Sequence, residues 1–351
     1  MTAQRVTSRR SPRLLRTPRS RRTALVMAGT GLLLLALLLV RVLVGTPMVP
    51  IDLALRAISG EVVPGYSFIV VDHRLPAAVV ALLAGVSFGL SGTVFQTLLR
   101  NPLASPDVIG VTLGSSAGAV LAMAFLGADG RALFWCALLG GLATAGLLLL
   151  VSGAGGPGAS GGADNRFVLV GIGVAAALSA LISYLLTRLS LQSAGDALHW
   201  LIGSLSSSTW DRAAVLGGAL LVLVPVLALL VTRLRILQLG DDTATSLGLP
   251  VPRTRVALVL VAVALTALTV AVTGPLSFVA FLAGPIAQRL AGRPSFPLAA
   301  VVGAVIVLLA DVIGQNLIPG TELPAGVVTG ALGAPVLLWM IARTSTSGSG
   351  R

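Results

Sequence analysis

The sequence contains no lysine; all 24 basic residues are arginine. That excludes the nucleotide-binding loop G-x-x-x-x-G-K-[ST], whose lysine reaches the terminal phosphates. The glycine-rich stretch AGGPGASGGA (154–163) therefore reads as a flexible link between helices. Cysteine is nearly absent too. Cys136 stands alone, can form no intrachain disulfide and is given no role. Only two histidines occur, His73 and His199, and with one distant cysteine they make no site for a bare iron ion. Surface packing is the reading for both. Charge is scarce, at 10% of residues, where a soluble domain carries roughly 25%.

What fills the chain is apolar: 56% of 351 residues, with a mean hydropathy of +0.98. Long runs of Leu, Val and Ala exceed the roughly 20 residues a helix needs to cross a bilayer. Ten spans are predicted, near 24–45, 77–98, 107–127, 132–152, 167–189, 213–232, 254–273, 275–290, 297–314 and 324–343. The eighth is short for a full crossing. Strands of a membrane barrel would alternate apolar and polar residues, and these runs do not. The expectation is an all-α polytopic membrane protein.

Arginine counts test the orientation. With ten spans and the N-terminus inside, inner segments hold 18 of the 24 arginines. Inner loops should carry that excess, so both termini are expected in the cytoplasm. The basic tail (1–23) then fixes topology and meets anionic lipid. It lacks the interleaved aromatics of a single-strand nucleic-acid binder. The first apolar run is too long for a signal peptide and reads as a retained anchor. A second tail follows at 344–351.

RNPLASPDVIG (100–110) interrupts two apolar runs with charge and proline. Pro102 and Pro106 keep spans two and three from fusing. Asn101 can cap a turn, and Asp107 is expected at the positive end of span three. Small-xxx-small spacing at Gly85/Gly89 and Gly114/Gly118 suggests that these two spans pack tightly on each other. The inner loop 233–255 carries DDTATSLGL, which opens with two acids and closes at Gly248 and Pro250, as a short helix would.

These residues resemble a family. RLP (74–76), then GLSGTVFQTLLRNPLASPDVIGVTLGSSAGA (89–119), LGDDTATSLGLPV (239–251), TGPLSFVAFLAGPIAQRLAG (273–292) and ELPAGVVTGALGAPVLLWMI (322–341) are similar, in order, to blocks of the FecCD-like permeases. Those are the membrane subunits of ABC importers for iron–siderophores, haem and vitamin B12. The likeness spans about residues 24–343, the expected permease domain. There are departures. Ala77 stands where an arginine often follows R-L-P, Pro285-Ile286 lacks the intervening histidine, and Gln315 replaces a basic residue. The changes at 77 and 315 thin the outer basic residues that, in the family, meet acids on the binding protein.

The resemblance implies a type II ABC importer permease. It implies ATPase coupling through Gly240, Asp241, Asp242, Ala244, Leu247 and Gly248, and binding-protein docking through Arg74 and Glu322, with Arg56 a weaker candidate. Span five would line the pathway with help from spans three and ten. Asp164, Asn165 and Arg166 are the candidates for its cytoplasmic gate. Gln96, Asn101, Pro102, Pro106 and Gly110 form the structural motif. The implied partners are a second permease (a twin or a paralogue), two ATP-binding subunits that carry ATP and Mg, an extracytoplasmic binding protein and membrane lipid. No cofactor is expected on this chain, and no nucleic acid as partner. Ferric siderophore leads as cargo, with cobalamin or haem behind.

Two other classes compete with this reading. GLSG (89–92) matches the G-x-S-G of rhomboid-like intramembrane proteases, but Ser91 would need a base within hydrogen-bond reach, and both histidines lie outside the spans. A proton- or sodium-driven transporter would place carboxylates along its path. Here Asp311, near the outer end of span nine, is the main intramembrane exception.

Overall fold

The computed structural model describes residues 18–152, 163–318 and 320–346. Among them the chain is helical, with no strand pairing beyond one isolated bridge between Ile318 and Thr321. In order the helices are α1 (Pro18–Leu43), α2 (Ile51–Ile58), α3 (Leu75–Leu98), α4 (Val111–Leu126), α5 (Gly130–Ser152), α6 (Ala163–Arg188) and α7 (Leu191–Ile202). Then come α8 (Trp210–Leu237), α9 (Asp241–Ser246), α10 (Val251–Thr273), α11 (Val279–Ala291), α12 (Phe296–Asn316) and α13 (Ala325–Thr346). A π-helical turn, Phe68–Arg74, runs directly into α3.

Seven of these helices are long and apolar enough to cross a membrane: α1, α3, α5, α6, α8, α10 and α12. Three shorter apolar helices, α4, α11 and the apolar part of α13, complete the ten expected spans. The 13 residues of α11 extend only about 20 Å at 1.5 Å per residue. They fall short of a hydrocarbon core of roughly 30 Å.

Helix starts follow local chemistry. Ser190, Thr209 and Ser295 cap α7, α8 and α12, each accepting a hydrogen bond from the backbone N–H three residues on. Proline occupies the first turn of α3, α10 and α12, where its missing N–H costs nothing.

Helix α3 is the hub. Its residues are buried nearly throughout, against α8, α10, α11 and α12. Buried hydroxyls knit it to α10: Ser87 donates to the Leu265 carbonyl at 2.9 Å and Ser91 to that of Ala262 at 2.7 Å. The Ser91 hydroxyl is thus a packing element, sealed from solvent with Thr266 beside it, which removes the protease reading.

The glycine pairs correct one expectation. At Gly85 and Gly89 a Cβ would strike the α12 backbone, and at Gly114 and Gly118 it would strike α5 at Thr144 and Cys136. Spans two and three therefore pack on different neighbours. The spacing marked close approach correctly, but spacing alone does not name the partner helix. The lone Cys136 contributes its backbone carbonyl to that contact and is half-buried.

Candidate functional site

A cavity of about 510 Å³ lies among α4, α6, α11 and α13. Thr112, Leu113 and Ser116 of α4 line one side, and Ser179, Ile182 and Ser183 of α6 another. Pro275, Ser277, Phe278 and Phe281 close it from the start of α11, with Leu201 of α7 and Leu337 of α13. Ser105, Asp107 and Val108 enter from the RNPLASPDVIG turn. The wall is mainly apolar with scattered hydroxyls and one carboxylate. Such a surface makes many weak contacts and no strong site.

The turn itself is built as a bracket. Arg100 takes a positive φ of 49° and donates to the Leu237 carbonyl at the end of α8, 2.8 Å away. The Asn101 carboxamide oxygen accepts from the Leu103 N–H at 2.9 Å, the expected turn cap. Pro102 follows in that turn, and the Pro106 carbonyl accepts from the Val111 N–H at 3.0 Å. Gly110, at φ 90°, precedes α4 and lies against the backbone of Ala175 in α6. A side chain there would be both strained and crowded. Helix α4 thus begins at residue 111, and Asp107 does not sit at its terminus as expected. Its Oδ1 accepts instead from the Thr112 hydroxyl, a residue inside the helix.

Gln96 was expected only as a motif residue, and the structure gives it a task. Pro285 lies inside α11 and has no N–H for the carbonyl of Phe281 one turn back. Gln96 Nε2 donates to that carbonyl at 2.9 Å. A Cβ on Gly284 would meet the Gln96 amide oxygen and push that side chain aside.

At the arginine-rich end, α9 forms where the two acids predicted a helix. Gly240 (φ 106°) and Gly248 (φ 81°) bound it, and Asp241 pairs with Arg255 of α10 at 3.1 Å. Asp242 lies in the first turn, its carbonyl taking the Ser246 hydroxyl at 2.9 Å. Ala244 is fully buried beneath the helix, which removes it from any contact surface. The apolar side chains that do project are Leu247 and Leu239, both more than 60% exposed. Leu239 was missed because an isolated leucine beside a membrane span carries no signal.

The gate candidates lie away from the cavity. Arg166 is exposed in the first turns of α6, roughly 20 Å along the helix axis from Ser179 at 1.5 Å per residue. The backbone of Asp164 and Asn165 opens α6, and their side chains lie outside the described residues, as do most of both tails and the glycine-rich link.

At the opposite end, Arg74 is corrected. It is 4% exposed, and its guanidinium donates to the carbonyls of Val42 (3.0 Å), Leu43 (3.3 Å) and Pro47 (2.7 Å). The first two carbonyls end α1 and the third lies in the segment that follows it, so Arg74 staples the end of α1 to the start of α3 and presents no docking surface. Glu322 is exposed, with the Ser206 hydroxyl donating to it at 3.4 Å. Arg56 is engaged by Glu61 through two hydrogen bonds. Asp311, seen in the sequence as a lone intramembrane charge, is buried in an ion pair with Arg41 of α1. Arg41 counts as a loop charge only if α1 stops before it; the helix runs to Leu43.

Among the described residues no three His, Cys, Asp or Glu side chains come together as metal ligands would.

A bundle of about ten apolar helices, with a short eighth and a small helix at the arginine-rich end, is the architecture of an ABC importer permease. The chain belongs to the FecCD transport family, matched over residues 33–343. It is 38% identical to the ferric enterobactin transport system permease protein FepG of Escherichia coli (strain K12), covering 82% of this chain and 87% of that one. It is 32% identical to the Fe(3+)-citrate import system permease protein YfmE of Bacillus subtilis (strain 168), covering 93% and 97%. A solved ABC transporter described as of the metal-chelate type, in an inward-facing conformation, superposes with a TM-score of 0.81 at 27% identity, covering 91% of this chain and 99% of that one.

Proposed function

We propose that this chain is the membrane subunit of an ATP-driven importer that carries ferric siderophores into the cytoplasm. The observation that carries the reading is the cavity between α4, α6, α11 and α13, lined by hydroxyls and apolar side chains. A path for a bulky chelate needs width and weak contacts, and the chelate keeps the iron's own ligands filled. The relatives support this cargo, since FepG and YfmE carry ferric enterobactin and Fe(3+)-citrate in their names.

The chain lies in the cytoplasmic membrane with both termini inside, as the arginine excess favours. It works as a dimer, with itself or with a related permease. Two ATPase subunits bind ATP and Mg and dock at α9, with Leu239 and Leu247 seated in the ATPase surface. Gly240 and Gly248 set the projection of that helix, and Asp241 ties it to α10. An extracytoplasmic binding protein delivers cargo to the opposite end, near Glu322. Arg166, with Asp164 and Asn165, gates the inner exit.

The test is radio-iron uptake in cells lacking the gene, across a panel of ferric siderophores, with labelled cobalamin and haem alongside. Loss of one ferric chelate, restored by the intact gene, is the expected result. Loss of cobalamin or haem alone would overturn the cargo. Uptake that survives ATP depletion at a preserved membrane potential would overturn the energy source.

A further inference from the structure

Helix α2 carries an apolar face that none of the described residues covers. Ala54 and Ala57 are buried against the protein, where α2 meets α1 and the π-helical turn. Yet Met48, Ile51, Leu55, Ile58 and Val62 are all more than half exposed. Within the helix, Ile51, Leu55 and Ile58 recur at intervals of four and three residues and form one stripe, while Met48 and Val62 are exposed in the segments on either side. At 3.6 residues per turn, Asp52, Arg56 and Ser59 fall on the side away from the alanines, and the stripe falls between the two. The helix therefore has three sides: one on protein, one polar, one bare and greasy.

We infer that the bare side lies in the outer leaflet of the membrane, with α2 in the plane of the lipid interface. Continuity is the first argument. Leu43 ends α1 and Ile51 starts α2, so α2 begins within a short reach of the outer end of a membrane span. That span shows exposed leucines along its length, Leu39 in its last turns among them. Exposed apolar side chains thus lie on both sides of the short connection from α1 to α2. The three-sided pattern is the second argument. A helix at the edge of a bundle, lying flat, meets protein on one flank, acyl chains beneath and water above. The third is charge. Arg56 donates to both carboxylate oxygens of Glu61 and holds its acid below the ordinary carboxylate range. Its own charge is thereby paired, and Asp52 stands beside it exposed. This polar rim belongs in water above the headgroups. The Arg56–Glu61 pair marks the waterline, and a docking protein would meet only that rim.

The inference rests on the membrane placement proposed above and is independent of the cargo. Its test is nitroxide accessibility in the full chain in lipid nanodiscs, in a Cys136→Ser background. Labels at Leu55→Cys and Ile58→Cys should collide several-fold more with oxygen, which partitions into lipid, than with a water-soluble nickel chelate. Labels at Asp52→Cys and Ser59→Cys should show the reverse. A label at Leu32→Cys, exposed on α1, is the control for membrane placement. Leu55 and Ile58 reading as water-exposed beside an embedded Leu32 would overturn the inference alone, while a water-exposed Leu32 would overturn the membrane placement with it. Immobilisation of the Leu55 label by added binding protein, without oxygen access beforehand, would make this a protein interface and also overturn the proposal.

Discussion

Gln96 on α3 supplies the hydrogen bond that Pro285 removes from α11. The donor sits 2.9 Å from the Phe281 carbonyl, whose helical partner would have been the N–H of residue 285. One side chain thus compensates a break in a neighbouring helix. Gln96→Leu should lower stability by about 1–3 kcal/mol, the cost of a buried carbonyl left unpaired. In a Pro285→Ala background, where α11 can restore its own bond, the same change should cost clearly less. A double-mutant cycle on thermal unfolding in detergent checks this. Additive effects would show that the two residues are not coupled.

Arg41 and Asp311 join the peripheral α1 to the core through a buried ion pair. Removing one partner leaves a buried charge and should cost about 3–5 kcal/mol. Arg41→Met alone or Asp311→Asn alone should therefore reduce the yield of folded protein, while Arg41→Met with Asp311→Leu should recover much of it. Recovery no better than either single change would show that the pair matters for more than charge balance.

The α3–α12 crossing has no room. A Cβ on Gly85 would collide with the backbone at Gly303 and Ala304. Gly85→Val should lower the unfolding midpoint by the equivalent of about 1–3 kcal/mol or more, as overpacking does. Gly146→Ala on α5, where a Cβ meets nothing within 4 Å, should leave it unchanged. Equal midpoints for the two variants would argue against the tight crossing.

Leu247 is exposed and Ala244, three residues earlier, is fully buried, so the two should separate contact from folding. Leu247→Ser should keep the unfolding midpoint. It should also weaken ATPase association about fivefold or more, as loss of an apolar anchor worth over 1 kcal/mol would. Ala244→Leu should lower the midpoint itself. Unchanged ATPase binding in Leu247→Ser would move the docking surface elsewhere.

The seven long helices and three shorter apolar ones were legible because apolar runs need no partner to declare themselves. The helix at 241–246 was legible from its acids and closing glycine. Partner identity was not. Hydropathy gives a helix its length but not its rotation, so Gly85 and Gly114 announced close contacts without naming α12 or α5. Arg74 shows the same limit in another form. An arginine beside a membrane span reads as a surface charge until the carbonyls that surround it are in place. The pairing of Asp311 with Arg41 spans 270 positions in sequence, and only the fold brings them together.

At the end of the bundle opposite α9, backbone touches backbone. The Ser204 N–H donates to the Thr273 carbonyl at 2.9 Å, and the Gly326 N–H donates to the Gly203 carbonyl at 3.1 Å. A Cβ on Gly203 or Gly326 would collide with the main chain opposite. The end of α7, the exit of α10 and the start of α13 are therefore spliced into one lintel. Because Leu201 and Pro275 line the cavity from that same splice, a shift of any one of the three elements pulls on the other two through the main chain.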